Sequence, residues 1–309
     1  MIATLRSLPD PQALRDRVAE VYGIEPTSCT LLRSLANDVY ELASPDARFV
    51  LKLYGADRWT PGEIRWETGL SAHLTRAGLV VPQPVALADG TDGTDVGLLD
   101  TPEGDRPYVL STFIIGTKPQ PPFDADLFRS FGELVATFHD AADDFSSPHP
   151  RREPNLDEQL ALLLTRVAPA EENLLRALAD AVRNHLAQYS GALSKGVCHG
   201  DVSLDNVLVT GDGLAIHDFD LSGIRYRAAD FTGVASTQYW ADFRTGYATR
   251  RQISDADLAA IPYLDVAGLI SNLSFHLVDK PLIRGTESIH EGWAQRELDA
   301  LHEAAGRLL

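Results

Sequence analysis

Cysteine is almost missing from these 309 residues, with only Cys29 and Cys198 present. Two such distant thiols cannot build a disulfide framework or a zinc knuckle, so both read as buried thiols of a reduced compartment. Positive charge is scarce as well: 27 Lys and Arg stand against 44 Asp and Glu, a formal charge of −17. That deficit disfavours nucleic acid as a partner, because phosphate binding needs basic side chains that displace counterions. It favours a cationic ligand, and it sets a condition: a nucleotide site must carry its own cation and bound metal against the surrounding field. Residues 1–12 hold no apolar core flanked by basic residues, so no secretory signal is expected. No apolar run approaches the roughly 20 residues that span a bilayer, and no repeat or low-complexity tract occurs. The expectation is a cytoplasmic protein without a membrane partner.

What is present is ordinary globular composition, 44% hydrophobic and 23% charged, which excludes collagen-like, coiled-coil and wholly disordered chains. A single core stops growing at roughly 250 to 300 residues, so two lobes are expected. Asp10, Pro11 and the stripe Leu14, Val18, Val21, stopped at Gly23, predict a first helix. Cys29–Leu35, Val39–Ala43 and Phe49–Tyr54 are rich in β-formers and separated by turn residues, predicting an antiparallel meander. Thr60, Pro61 and Glu63 spell a capping box that opens a helix ending at Gly78. A fourth strand is expected near Pro84–Ala88, an exposed hairpin loop over the Asp/Gly-rich stretch Asp89–Asp105, and a fifth strand over Tyr108–Ile115. The proline-rich connector Lys118–Pro122 places the boundary, giving an N-lobe of residues 1–116 and a C-lobe of 117–309. Beyond it Leu127–Ala142 shows helical spacing, Leu156–Gln188 reads as two more helices, and helices resume from about Ala228.

The rhythm breaks between Gly196 and Asp220. There His199-Gly200-Asp201-Val202-Ser203-Leu204-Asp205-Asn206 is followed by Ile216-His217-Asp218-Phe219-Asp220. Apolar runs precede both polar clusters, so two short strands deliver Asp201, Asn206 and Asp218 to one place. Phosphoryl transfer asks for such a set: a carboxylate to orient and deprotonate the attacking hydroxyl, and oxygen ligands for Mg²⁺.

This pattern resembles the aminoglycoside phosphotransferase and choline kinase family, whose signature is His-Gly-Asp, an Asn five residues after the Asp, and a later Asp followed by an aromatic or aliphatic residue. The resemblance implies an α+β, two-lobed protein-kinase-like fold with a five-stranded antiparallel sheet in the small lobe and a mostly helical large lobe carrying catalytic loop 199–206. It implies ATP or GTP as donor, Mg²⁺ as metal and a small-molecule hydroxyl as acceptor. Asp201 would be the base and Asn206 and Asp218 the metal ligands. Lys52 would contact the α and β phosphates, paired with Glu67 or, one turn earlier, Glu63. The turn with Ser34 and Asn37 would cover the phosphates, and the backbone of Ser111, Thr112, Phe113 and Ile114 would meet the base. Asp220 and Trp240 are candidates for the acceptor pocket, which the resemblance places in the trailing part of the chain that also holds Asp242, Phe275, His276, Asp279 and Trp293. The glycine-rich run of protein kinases is lacking, Gly200 replaces their catalytic-loop Arg, and Asp220 replaces the Gly of Asp-Phe-Gly. These departures point away from activation-loop control.

Competing readings are a protein Ser/Thr kinase of the bacterial stress-response type, a homoserine- or choline-type metabolite kinase, a scaffold that binds nucleotide without transfer, and a zinc hydrolase using His199, His217 and Cys198. The intact set Lys52, Asp201, Asn206 and Asp218 opposes the scaffold. No histidine pair at zinc-motif spacing supports the hydrolase, and His199 is expected to hydrogen-bond the loop backbone. The sequence does not specify the acceptor, which could be an antibiotic, nor the oligomeric state.

Overall fold

The structure, a computed structural model, describes residues 4–88 and 95–309. The chain divides into two compact units. The first comprises Met1–Thr117, Asp144–Arg151 and Leu208–His217; the second comprises Lys118–Asp143, Arg152–Val207 and Asp218–Leu309.

In the first unit, helix α1 (Pro11–Tyr22) starts where Asp10 accepts from the N–H groups of Gln12 and Ala13, and it ends at Gly23 in the left-handed region. Then come strands β1 (Ser28–Ser34), β2 (Asp38–Ala43) and β3 (Arg48–Leu53), helix α2 (Pro61–Arg76), and strands β4 (Val96–Thr101) and β5 (Gly104–Thr112). The strands form a five-stranded sheet in the order β1-β2-β3-β5-β4, antiparallel throughout. Alternation places Tyr40 and Leu42 of β2 and Leu51 and Leu53 of β3 on one face, where they meet Leu14, Val18 and Tyr22 of α1. Helix α2 opens on the capping box, with Thr60 and Glu63 bonded reciprocally.

The fourth strand lies elsewhere than expected. Pro84–Ala88 makes one isolated bridge, Pro84 to Ser111, and is no strand; Pro84 itself and Pro82 just before it have no N–H to give a ladder. Of the expected loop Asp89–Asp105, residues 89–94 lie outside the described residues, and 96–101 form β4 against β5 instead. The fifth strand runs Gly104–Thr112, shifted towards the N-terminus. Beneath the β1–β2 turn sits an ionic cluster. Arg106, 1% exposed, donates to Asp38 Oδ2 (2.7 Å) and to the carbonyl oxygens of Tyr54 (2.8 Å) and Ser7 (3.0 Å), while Arg6 donates to Asp38 Oδ1 and Leu35 O.

In the second unit, α3 (Ala125–Ala142), α4 (Leu156–Leu163) and α5 (Pro169–Tyr189) lead to β6 (Lys195–Cys198). The hairpin β7 (Val207–Thr210) and β8 (Gly213–Ile216), which apart from Val207 belongs to the first unit, comes next in the chain, then β9 (Gly223–Tyr226), which pairs antiparallel with β6. The remaining helices are α6 (Thr232–Ala235), α7 (Trp240–Tyr247), α8 (Asp255–Ser274), α9 (Lys280–Arg284) and α10 (Trp293–Leu308). A π-turn, Phe275–Asp279, joins α8 to α9. The helical run Asp255–Arg284 spans 30 residues and is long and apolar enough by length and composition to cross a bilayer, which corrects the expectation drawn from uninterrupted apolar runs. It is a core helix here: Val266, Ile270 and Leu273 are fully buried with residues of α4, α5 and α10. The architecture is α+β, a five-stranded antiparallel sheet in one unit and helices dominating the other.

Candidate active site

The loop 199–206 leaves β6 at Cys198, which is fully buried. Its first turn is held from behind by Asp230. The Asp230 carboxylate accepts from the N–H of His199 (2.8 Å) and of Gly200 (2.8 Å), and from His139 Nε2 (3.0 Å), whose Nδ1 in turn accepts from the Tyr247 hydroxyl (2.9 Å). Burial raises the Asp230 pKa, but the hydrogen bond from His139 and the backbone donor at Gly200 outweigh it and hold it below the ordinary carboxylate range. Burial also lowers the pKa of His139, so the ring stays neutral. The His199 ring accepts the Asp201 N–H at Nδ1 (3.3 Å), the expected backbone bond.

Gly200 has φ +83°, and a Cβ built there would lie 2.2 Å from the Leu221 carbonyl oxygen. Glycine is therefore required where protein kinases carry Arg. Past this turn Asp201 is exposed, and the chain doubles back through the one-turn helix Leu204–Asn206. The buried Asn206 thereby donates its Nδ2 to both the Asp201 carbonyl oxygen (2.9 Å) and Asp201 Oδ2 (2.8 Å). A spacing of five residues is what lets the amide reach back.

Asp218 follows β8 at φ +68°, ψ +66°, a left-handed conformation that Asp tolerates better than most residues and that recurs where a functional side chain must be aimed. Its neighbour Phe219 stacks on Phe138 of α3 (centroids 6.1 Å, 11°) and lies 5.2 Å from the His199 ring, while Ser222 Oγ donates to the His199 carbonyl oxygen (3.1 Å). These contacts tie the segment after Asp218 to the loop that holds Asp201 and Asn206. Asp220 is buried, 8% exposed. Trp240 packs on Phe231 and Phe243, with the Arg244 guanidinium 5.8 Å from its ring centre, and Asp242 pairs with Arg129. Farther along, His276 stacks on Trp293.

In the first unit Lys52 Nζ pairs with Glu67 Oε1 at 3.0 Å, and Tyr54 donates its hydroxyl to the same oxygen at 3.0 Å. Glu63 is engaged by Thr60, so of the two carboxylates Glu67 is the partner. Asn37 is buried in the tight β1–β2 turn, and Ser34 closes that hairpin opposite Asp38. Thr112 and Phe113 give their N–H groups to the carbonyls of Gln83 and Arg48, so neither group is available to a base; Ser111 lies in β5, and Ile114 follows the strand.

The zinc reading finds different partners from those expected. The cluster of possible ligands among the described residues is His139, Cys198 and Asp230, all buried. Both His139 nitrogens are already bonded, and burial raises the Cys198 pKa, keeping it a thiol. What sequence reasoning missed is the reach of this anchor: His139 on α3 gave no signal that it meets Asp230, because the pairing spans 91 residues.

Residues 28–264 match the model of the phosphotransferase enzyme family. An uncharacterized protein of Deinococcus radiodurans is 34% identical over 285 residues, covering 85% of this chain and 81% of that one. The homoserine kinase of Methylorubrum populi is 29% identical over 266 residues, covering 81% and 79%. Among solved structures, an amicoumacin kinase in complex with AMP-PNP, Ca²⁺ and its ligand superposes with a TM-score of 0.76 at 20% identity, covering 96% and 94%. A microcompartment-associated aminopropanol kinase superposes with 0.75 at 21%, covering 95% of each chain. The family match over most of the chain, on a fold shared with those kinases and around a loop that brings Asn206 onto Asp201, settles the class: the chain belongs to the phosphotransferase enzyme family and is a kinase.

Proposed function

We propose that this chain moves the γ-phosphoryl group of ATP or GTP to the hydroxyl of a small, amine-bearing acceptor. The observation that carries the reading is the Asp201–Asn206 contact at 2.8 Å on a loop fixed by Asp230. Asp201 accepts the proton of the acceptor hydroxyl as its oxygen forms a bond to the γ phosphorus. The bond from that phosphorus to the β–γ bridging oxygen breaks, and the nucleoside diphosphate leaves with the bonding electrons.

The donor set fits Mg²⁺. Because Asn206 spends its Nδ2 on Asp201, the amide has its oxygen to offer, and Asp218 adds a carboxylate; hard oxygen donors are what Mg²⁺ takes alongside phosphates and water. Bound there, the ion would neutralise charge on the β and γ phosphates. Lys52, oriented by Glu67, supplies the cation that a nucleotide needs in a chain of charge −17. An amine on the acceptor suits the same acidic field, and homoserine and aminopropanol, named for the relatives, both join an amine to a hydroxyl. An antibiotic amino alcohol belongs to the same class.

The test is ADP release with Mg²⁺ and ATP against homoserine, 1-amino-2-propanol, choline, a panel of aminoglycosides and a generic protein substrate. Turnover with an amine-bearing alcohol and none with protein is expected. Phosphorylation of the protein substrate alone would overturn the small-molecule reading.

A further inference from the structure

Beside the loop that carries Asp201 the second unit has a cavity of about 350 Å³ that is partly open to solvent. Its buried walls are Phe128, Phe131, Val202 and Val234, between 1% and 7% exposed, completed by Leu204 and Tyr239. The polar groups there are mostly committed. Tyr239 lies flat on Phe128, with centroids 4.4 Å apart, and donates its hydroxyl to the Phe123 carbonyl oxygen (2.7 Å), so it presents a ring face. Thr237 donates to the Val234 carbonyl oxygen (2.8 Å) and accepts from the Tyr239 N–H (3.3 Å). No charged side chain lines the cavity, although the chain carries 44 carboxylates.

Val202, Ser203 and Leu204, the three residues next after Asp201, line the cavity, so it borders the loop that carries the proposed base. Resting on the phosphotransfer reading above, we infer that the acceptor carries a compact apolar group, a branched alkyl chain or one aromatic ring, and that this cavity holds it. An engineered cavity of about 150 Å³ takes up benzene, so the volume here accommodates a ring with its linker. A polyhydroxylated sugar does not suit these walls, because each hydroxyl buried without a partner is unfavourable.

The experiment uses the whole chain with Mg²⁺ and ADP bound, and three alcohols that share one amino-alcohol head: 2-aminoethanol, leucinol and phenylalaninol. Calorimetric titration should show affinity rising by about fourfold for each buried methylene, so that leucinol and phenylalaninol bind at least about tenfold tighter than 2-aminoethanol. Val234→Phe fills the cavity from its floor, and Gln238→Trp covers it from the exposed rim, where folding is not at stake. Either substitution should bring leucinol back to about the affinity of 2-aminoethanol, within about threefold, and leave the affinity for ADP unchanged. Equal affinities for the three alcohols, no binding of any, or a preference retained in both variants overturns the inference. Failure of the chain to bind Mg²⁺ with ADP would strike the phosphotransfer reading itself, and the titration with nucleotide registers that separately.

Discussion

Asp230 touches no substrate in this account, yet its removal should disable the protein. It accepts three hydrogen bonds, from the N–H groups of His199 and Gly200 and from His139 Nε2, and His199 and His139 are both fully buried. In Asp230→Ala these three donors lose their acceptor, at about 1–3 kcal/mol for each, so roughly 3–9 kcal/mol in all. That is a large part of the ~5–15 kcal/mol that holds a domain folded, and a Tm lower by roughly 10–20 °C follows. Asp230→Asn is the sharper probe. One end of the side chain faces the Gly200 N–H and the other faces the His199 N–H, so either orientation sets the new NH₂ against a backbone donor. It should cost about 2–4 kcal/mol despite identical shape. Thermal melts read the stability, and turnover at a temperature where the variant is folded reads the loop. With Asp201 loosened, kcat should fall about 100-fold while nucleotide affinity stays within about threefold. A variant with an unchanged Tm and unchanged kcat would refute the anchoring role.

Gly200→Ala should lower kcat by about 100-fold or more, because its Cβ would sit 2.2 Å from the Leu221 carbonyl oxygen at φ +83°, and the turn before Asp201 must move; wild-type kinetics would contradict that geometry. Glu67→Gln keeps a partner for Tyr54 but removes the charge facing Lys52, so KM for ATP should rise about tenfold with little change in stability, as steady-state kinetics and melts would show. Acid should destabilise the protein in two stages. The lowered pKa of buried His139 means that, as pH falls below 6.5, the unfolded chain binds a proton the folded chain refuses; near pH 4 the lowered pKa of Asp230 acts with the same sign. Each proton contributes a slope of up to about 1.4 kcal/mol per pH unit. His139→Gln should flatten urea-unfolding stability against pH just below 6.5, and an unchanged slope would remove His139 from the explanation.

Much of the fold was legible because its signals are local. Asp10 and Thr60 cap the helices they precede, Glu63 completes the capping box from the first turn of α2, and β1 to β3 fall within a residue or two of the β-rich runs. The fourth strand was not legible, for a physical reason. Gly97 sits in an Asp/Gly-rich stretch that reads as loop, yet it faces Tyr108 across the ladder, and a Cβ there would come within 2.2 Å of the Tyr108 ring. Glycine marks a close approach at that position, and only the partner strand reveals it. The Asp38–Arg106 pair is hidden likewise, since Asp38 reads as a turn residue and its partner lies 68 positions on. The core helix Asp255–Arg284 escaped a search for apolar runs because Asp257, Pro262 and Asp265 interrupt it. The candidate site was legible where spacing encodes contact, as in Asp201 and Asn206. It was opaque where distant elements converge, as in the His139–Asp230–Tyr247 anchor and the apolar cavity.

The most direct measurement is single-turnover phosphoryl transfer by Asp201→Asn with saturating Mg²⁺ and ATP and an accepted alcohol. Removing the base while keeping the side-chain shape should slow transfer by about 100- to 10,000-fold, with ATP affinity within about threefold of the wild type. Transfer at the wild-type rate would show that Asp201 does not take the hydroxyl proton, and the proposed chemistry would be wrong.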